Sequence, residues 1–263
     1  MQMNFDLEIR FHGDLGNFFL PARLRTRSRV LRQLSEKTSI KDVIEACGVP
    51  HPEVDLITIR SANVATPMAV DLRWQVQTSA QIDVYGFPAP EDILPSQPRL
   101  QRRRCERFVI DGHLGGLARN LRLLGLDSSY QPEAEDHRLL QIMSTEDRAI
   151  LTRDRRLLMH SIVKDGFCPR SHNPEIQTSE VLRRFGLTIS SGTITPFTRC
   201  LECNGVLQTT RKQDVSDRLA AEPRTLHYYN HYRVCATCRR IYWQGSHFAK
   251  LTQRVARLVT FHP

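Results

Sequence analysis

The residues best suited to chemistry are four cysteines in two pairs, "CLEC" (Cys200, Cys203) and "CATC" (Cys235, Cys238). Each C-x-x-C forms a tight knuckle, and two knuckles supply the four thiolates of a tetrahedral Zn²⁺ site. Such a set leaves no open coordination position, so the zinc expected here is structural. Seven cysteines are present, an odd number, and in an intracellular chain paired spacing points to metal and not to a disulfide framework. A dithiol redox pair is the rival reading, but a redox C-x-x-C normally opens a helix after a strand. Thirty-one residues separate Cys203 from Cys235, more than in the commonest ribbons, so the insert should form its own loop or hairpin. Asn204-Gly205 suits the turn after the first pair.

A second pattern involves carboxylates. The apolar run "FVID" ends at Asp111 and "ILTRD" ends at Asp154, while Glu135-Asp136 opens the segment between them. If both runs are strands of one parallel sheet, both acids emerge at the same edge. Carboxylates gathered there repel one another unless a hard cation such as Mg²⁺ or Mn²⁺ sits among them. A cation so held can activate water and neutralise a scissile phosphate. Each acid also suits a simpler role, because aspartate before a helix is a favoured N-cap. Arg119 and Arg122, on the helix after Asp111, and Arg153, beside Asp154, are candidates for holding a phosphate backbone. The wet face of a helix is the alternative for the first two.

Behind these residues lies an α/β chain. Hydrophobic residues make up 40% and charged residues 25%, which are globular values and exclude a disordered polyelectrolyte. Lysine and arginine total 37 against 28 acids, a net charge of +9 that favours a polyanionic partner. No apolar run reaches the ~18 residues of a membrane span. The N-terminal "MQMNFDLEIRFHG" alternates and carries acids where a signal peptide would have an apolar core. The expected location is the cytoplasm.

Four segments are expected. Residues 1–87 open with alternating Phe5, Leu7, Ile9 and Phe11 and a turn over residues 13–16. "NFFL" is read as a returning strand, and a helix with Ile40, Val43, Ile44 and Cys47 on one face follows. Further strands come after it. Residues 88–107 are a proline- and arginine-rich linker, either a solvated spacer or a phosphate-contacting arm. Residues 108–195 alternate short strands with helices, the signature of a parallel sheet whose ligand crevice lies at the carboxyl ends of strands. Residues 196–263 hold the cysteines and end in a basic amphipathic helix. There, Arg199, Arg211, Lys212, Arg233, Arg239 and Arg240 interleave with Tyr228, Tyr229, Tyr232, Tyr242 and Trp243. That mixture suits single-stranded RNA or, equally, the core of a small module.

"FVIDGHLGGLARNLRLLG", "AEDHRLLQIM", "ILTRDRRL", "EVLRRFGL", "PFTRCLECNGVL" and "YRVCATCRRIYWQGSHF" together resemble the Mut7-C family of PIN-like ribonuclease domains over about residues 108–250. The first 87 residues resemble a ubiquitin-like β-grasp domain, which in this family commonly precedes the nuclease. The resemblance implies a PIN-like parallel-sheet nuclease with an N-terminal β-grasp domain and a C-terminal zinc ribbon. It implies a divalent-metal-dependent ribonuclease with Asp111, Asp136 and Asp154 as catalytic metal ligands. RNA is the implied partner, with tRNA or ribosome-associated RNA in view, and the β-grasp block is expected to contact protein or RNA. Two departures from the family pattern stand out. "DGHL" replaces a form such as "DSML", and His172-Asn173 occupies a stretch where acids are expected. These keep a second reading open, a catalytically weak or inactive RNA- or ribosome-binding zinc-ribbon protein.

Overall fold

The computed structural model describes residues 4–19, 28–61, 66–221 and 223–260. It divides into two compact units, residues 1–103 with 152–168, and residues 104–151 with 169–263.

The first unit is built on a mixed sheet. Its elements are β1 (Phe5–His12), β2 (Arg29–Leu34), β3 (Thr38–Ser39), α1 (Ile40–Glu45), β4 (Val54–Ser61), β5 (Met68–Ala69), β6 (Gln75–Val76) and β7 (Ala80–Gly86). The main sheet has the order β2-β1-β7-β4-β5. β1 and β7 run parallel, with Ile9 opposite Ile82, and the other pairs are antiparallel. The alternation in β1 buries Phe5, Leu7, Ile9 and Phe11, as the period of two demands. Ser39 caps α1 by accepting from Asp42 N at 3.1 Å, and Ile40, Val43 and Ile44 face the sheet.

"NFFL" departs from the expected strand. Residues Gly13–Phe18 form a 3-10 helix that buries Leu15 and Phe18, and the strand beside β1 is β2. Phe18 and Phe19 are both buried, and so short an apolar run fits either structure, so periodicity alone could not choose.

The expected linker is also different. Leu100 N bonds Asp55 O at 2.8 Å, and Ala89 N bonds Asp55 Oδ2 at 2.9 Å. Buried Gln101 donates to the carbonyls of His51 and Val54. The stretch is therefore stitched to the first unit up to residue 103. Its arginines are used internally: Arg99 donates to Pro90 and Ile93 carbonyls, Arg102 pairs with Asp165, Arg103 with Glu91 and Arg104 with Glu106.

Residues 152–168, expected within the nuclease segment, pack into this first unit. Arg155 Nη1 donates to Phe18 O at 2.6 Å, and His51 Nε2 lies 2.7 Å from Val163 O. Buried Glu53 accepts from Cys168 N at 2.7 Å.

The second unit holds a parallel sheet and the cysteine ribbon. Strands β8 (Arg107–Ile110), β9 (Asp127–Tyr130) and β10 (Ala149–Leu151) lie in the order β10-β8-β9. Helices α2 (Gly115–Leu123) and α3 (Asp136–Glu146) connect them. Ile110 stands opposite both Leu151 and Tyr130, and Arg107 stands opposite Asp127. The strand starts therefore share one edge of the sheet and the strand ends the other. Phe108, Val109, Ile110, Ile150 and Leu151 are almost wholly buried, which explains unbroken apolar runs in place of alternation.

Leu114, Leu117, Ala118, Leu121 and Leu124 seat α2 on this core. Gly125 ends the helix at φ +87°, a left-handed conformation natural to glycine. A closing helix (Pro174–Arg184) lies against α2, where Asn120 Nδ2 donates to Pro174 O and Thr178 Oγ1. The ribbon is an antiparallel sheet of Leu207–Thr210, Tyr232–Cys235 and Ile241–Trp243. Its insert contains the short helix Pro223–Tyr228, and a final helix spans Phe248–Thr260. Val215, Leu219, Tyr232 and Val234 form the ribbon's own core.

Candidate metal centre and strand-end acids

Two knuckles of matching geometry bring the cysteines together. In the first, Asn204 N bonds Cys200 O at 3.0 Å and Cys200 N bonds Gly205 O at 2.8 Å. In the second, Arg239 N bonds Cys235 O at 3.1 Å and Cys235 N bonds Arg240 O at 2.9 Å. The residue after each second cysteine is left-handed, Asn204 at φ 69° and Arg239 at φ 63°. This shared turn aims both thiols of a pair the same way. All four Sγ atoms lie within 4.8 Å of one another, with Cys200–Cys238 at 3.6 Å and Cys203–Cys235 at 3.4 Å.

The electrostatics suit a cation. Burial raises the Cys200 thiol, but the Cys203 and Glu202 amides and the Tyr242 hydroxyl outweigh it and hold the group down to about 6. Burial and the three neighbouring thiols push Cys238 up to about 12. Tyr242, whose hydroxyl lies 3.1 Å from Cys200 Sγ, is driven upward by burial and by that same sulfur. Thiols this close cannot all ionise unless positive charge is shared among them. A four-sulfur, two-knuckle donor set with amides supporting the sulfurs fits Zn²⁺.

The knuckle is bound to the parallel sheet. Asn204 Nδ2 donates to Asp127 Oδ1 at 2.7 Å, and Asn204 Oδ1 accepts from Ser128 N at 2.9 Å. Asp127 also bonds Arg148 at 2.6 Å and lies within 3.4 Å of Arg199 and 3.6 Å of Arg107. Burial opposes ionisation of Asp127, but the bonds from Arg148 and Asn204, with the charges of Arg148 and Arg199, hold its carboxyl below the usual range. Neither Asp127 nor Arg148 carried a functional signal in the sequence. Asn204 was legible only as a turn residue.

Arg122 belongs to this junction and corrects an expectation. It is 3% exposed and donates to Ser128 O at 3.0 Å, Leu201 O at 3.1 Å and Glu202 O at 2.7 Å. Its guanidinium holds the carbonyls inside the first knuckle and is not presented to a substrate. Arg119 is exposed and pairs with Glu202 at 2.8 Å. Arg153 is half-buried.

The strand-end acids divide by role. Asp154, three residues after Leu151, is exposed and caps the helix Arg155–Leu158, its Oδ1 accepting from Arg156 N at 2.7 Å and Leu157 N at 3.3 Å. Asp111 directly follows β8 and precedes the one-turn helix Gly112–Leu114, yet its carboxylate does not cap that helix. Asp136 is exposed at the start of α3. Asn173, in the stretch where acids were expected, caps the closing helix by accepting from Glu175 N at 2.8 Å. His113 and His172 are exposed. Among the described residues, the convergent group of three or more ligand-type side chains is the four cysteines, and no such group includes Asp111, Asp136 or Asp154.

The "DGHL" departure has a steric basis. A Cβ on Gly112 would overlap the Pro132 carbonyl oxygen, and Tyr130 OH donates to Gly112 O at 2.9 Å. The backbone after β9 closes directly over this position.

The chain thus combines a mixed β-sheet, a parallel α/β sheet with an acid at a strand end and a four-cysteine ribbon. The chain belongs to the Mut7-C RNAse domain family, which matches residues 106–255; the Mut7-C ubiquitin family matches residues 5–77. A human protein, "Exonuclease mut-7 homolog", is 35% identical over 106 residues, covering 38% of this chain and 12% of that protein. The chain thus aligns with a small part of that relative's length. No solved structure matches it.

Proposed function

We propose that the chain is a divalent-metal-dependent ribonuclease that hydrolyses RNA phosphodiester bonds. The observation that carries this reading is the position of Asp111, a carboxylate directly after the buried strand β8, at the edge of the parallel sheet where the strands end. Membership of an RNAse family and the net charge of +9 support it. Asp111, Asp136 and Asp154 are the residues that would hold Mg²⁺ or Mn²⁺. When bound, such an ion lowers the pKa of a coordinated water and offsets charge on the phosphate. Arg119 and Arg153 are the cations proposed to hold the RNA backbone. Cytoplasmic RNA, including tRNA and ribosome-associated RNA, is the proposed substrate pool. Among the described residues no helix is long and apolar enough to cross a membrane. The first unit is proposed to contact protein or RNA.

The test is cleavage of mixed cellular RNA by the full chain with Mn²⁺, beside Asp111→Asn and Asp154→Asn variants. Loss of cleavage in Asp111→Asn, with the fold intact, is the expected result. Undiminished cleavage in both variants would remove the acids from the mechanism. The human relative is named an exonuclease; circular against linear RNA decides whether this chain needs an end.

A second reading, an RNA-binding ribbon protein with little or no turnover, draws on the caps. Asp154 spends Oδ1 on its helix, and Asn173 does the same where the family pattern expects acids. RNA binding with no cleavage of any RNA would favour it.

A further inference from the structure

Resting on the reading of the chain as a protein acting on RNA, we propose that the ribbon carries a nucleobase pocket that takes an unpaired base of single-stranded RNA. A cavity of about 250 Å³ lies between the ribbon sheet and the final helix. Five aromatic side chains, Phe197, Tyr232, Tyr242, Trp243 and Phe248, help to form its walls, and Arg199 and Arg233 also line it. The volume is below that of a pocket for a drug-sized ligand and suits one flat ring system.

The walls are held in place. Phe197 has φ 63°, an unusual conformation for a bulky residue. It is fixed by its N–H bond to Leu123 O at 3.0 Å and by Arg233, which donates to its carbonyl. Its ring meets Phe248 with centroids 4.8 Å apart and planes tilted by 41°. Strain of this kind persists where the surroundings over-determine it, commonly at ligand sites. Trp243 is kept in position by Gly245, where a Cβ would come within 2.8 Å of the indole Nε1. Trp243 nevertheless remains 36% exposed at the cavity, whereas Tyr232, 1% exposed, lines it from the ribbon core.

Charge selects the occupant. Residues 196–263 contain eleven lysines and arginines against four acids, a large part of the chain's positive excess. An aliphatic ligand would gain nothing from that field. A nucleotide offers both a flat π-face for the aromatics and a phosphate for the cations. A base inside a duplex has its faces covered by its neighbours, so the pocket discriminates in favour of unpaired RNA.

The chain has two tryptophans, Trp74 and Trp243, so in a Trp74→Phe background the emission reports on the pocket alone. The probe is a short single-stranded oligoribonucleotide, titrated into the 263-residue chain that also carries Asp111→Asn to limit cleavage. Saturable quenching by the single strand is expected, with the matching duplex binding at least about tenfold more weakly. Read by the anisotropy of a dye on the oligoribonucleotide, since these variants lack the reporter tryptophan, Trp243→Ala should lower affinity about tenfold or more, the scale of one lost base–aromatic stack, and Trp243→Phe should recover most of it. Zinc content monitors the fold. If the alanine variant loses zinc, the phenylalanine variant and the quenching itself still decide.

Equal affinity in Trp243→Ala with zinc retained, equal binding of duplex, or binding that leaves Trp243 emission unchanged would overturn the pocket. So would quenching by a nonionic detergent that RNA does not compete away. Quenching without cleavage by the Asp111-containing parent would leave the pocket standing and remove only the ribonuclease reading.

Discussion

Asn204, the residue that turns the first cysteine knuckle, donates its side-chain amide to Asp127 at the start of β9. One residue thus serves the fold of the ribbon and its attachment to the sheet. The substitution Asn204→Gly keeps the left-handed turn available and removes only the bridge. It should cost about 1.5–3 kcal/mol, the range for a hydrogen bond to a charged group, and lower the melting temperature by several degrees. Zinc content should stay the same. A variant as stable as the parent would show that the bridge contributes nothing.

Asp127 makes the attachment sensitive to acid. Its folded-state pKa lies below the ordinary carboxylate value, so its contribution is fully present above about pH 4 to 5 and is lost as pH falls through the folded value. Asp127→Asn should therefore be less stable than the parent near neutrality, and the gap should narrow steadily on acidification below about pH 4. Denaturant unfolding at a series of pH values checks the sign. A gap that widened on acidification would contradict it.

Asp154 separates capping from chemistry. Asparagine caps a helix about as well as aspartate, whereas alanine loses the cap at a cost of about 1 kcal/mol. Asp154→Asn should keep the parent's stability and lose RNA cleavage, while Asp154→Ala should lose both. Cleavage by the asparagine variant at the parent's rate would leave Asp154 with only its structural duty.

Gly112 lies so close to the Pro132 carbonyl that even a methyl group has no room. Gly112→Ala should cost about 1–3 kcal/mol through overpacking. Thermal unfolding of the full chain reads this directly, and an unchanged melting temperature would mean that the backbone at Pro132 yields freely.

Zinc removal should propagate beyond the ribbon. Chelation, or Cys200→Ser, is expected to release the metal and to loosen the carbonyls that Arg122 grips at Leu201 and Glu202. Hydrogen exchange should then rise at Ser128, whose N–H depends on Asn204. Zinc retained in full by both Cys200→Ser and Cys235→Ser would rule out the four-thiolate site.

The sequence announced some of this more clearly than the rest. C-x-x-C spacing determines a knuckle almost by itself, because two thiols three residues apart need one kind of turn. The apolar face of α2 and the buried strand β8 were legible because their periods are local. The fate of Arg122 was not, since helical spacing shows a basic residue but not the carbonyls of Leu201 and Glu202, some eighty residues away. The same holds for Asp154 and Asn173: a cap and a metal ligand use the same residue types at the same helix starts. Residues 152–168 read as part of the alternating strand–helix block, yet their partners include Phe18, His51 and Glu53, which no local pattern could name.

Helix α2 starts just after Asp111 and ends at Leu123, one of the residues lining the aromatic cavity. Nine residues of helix make a rigid rod of about 13 Å. It spans from the edge of the sheet where strands end to the edge where they begin. An RNA strand gripped in the cavity would meet the carboxylate only after running that distance, so the helix would act as a fixed ruler. Cuts would then fall at a constant offset from the captured base, set by protein architecture and independent of local nucleotide sequence.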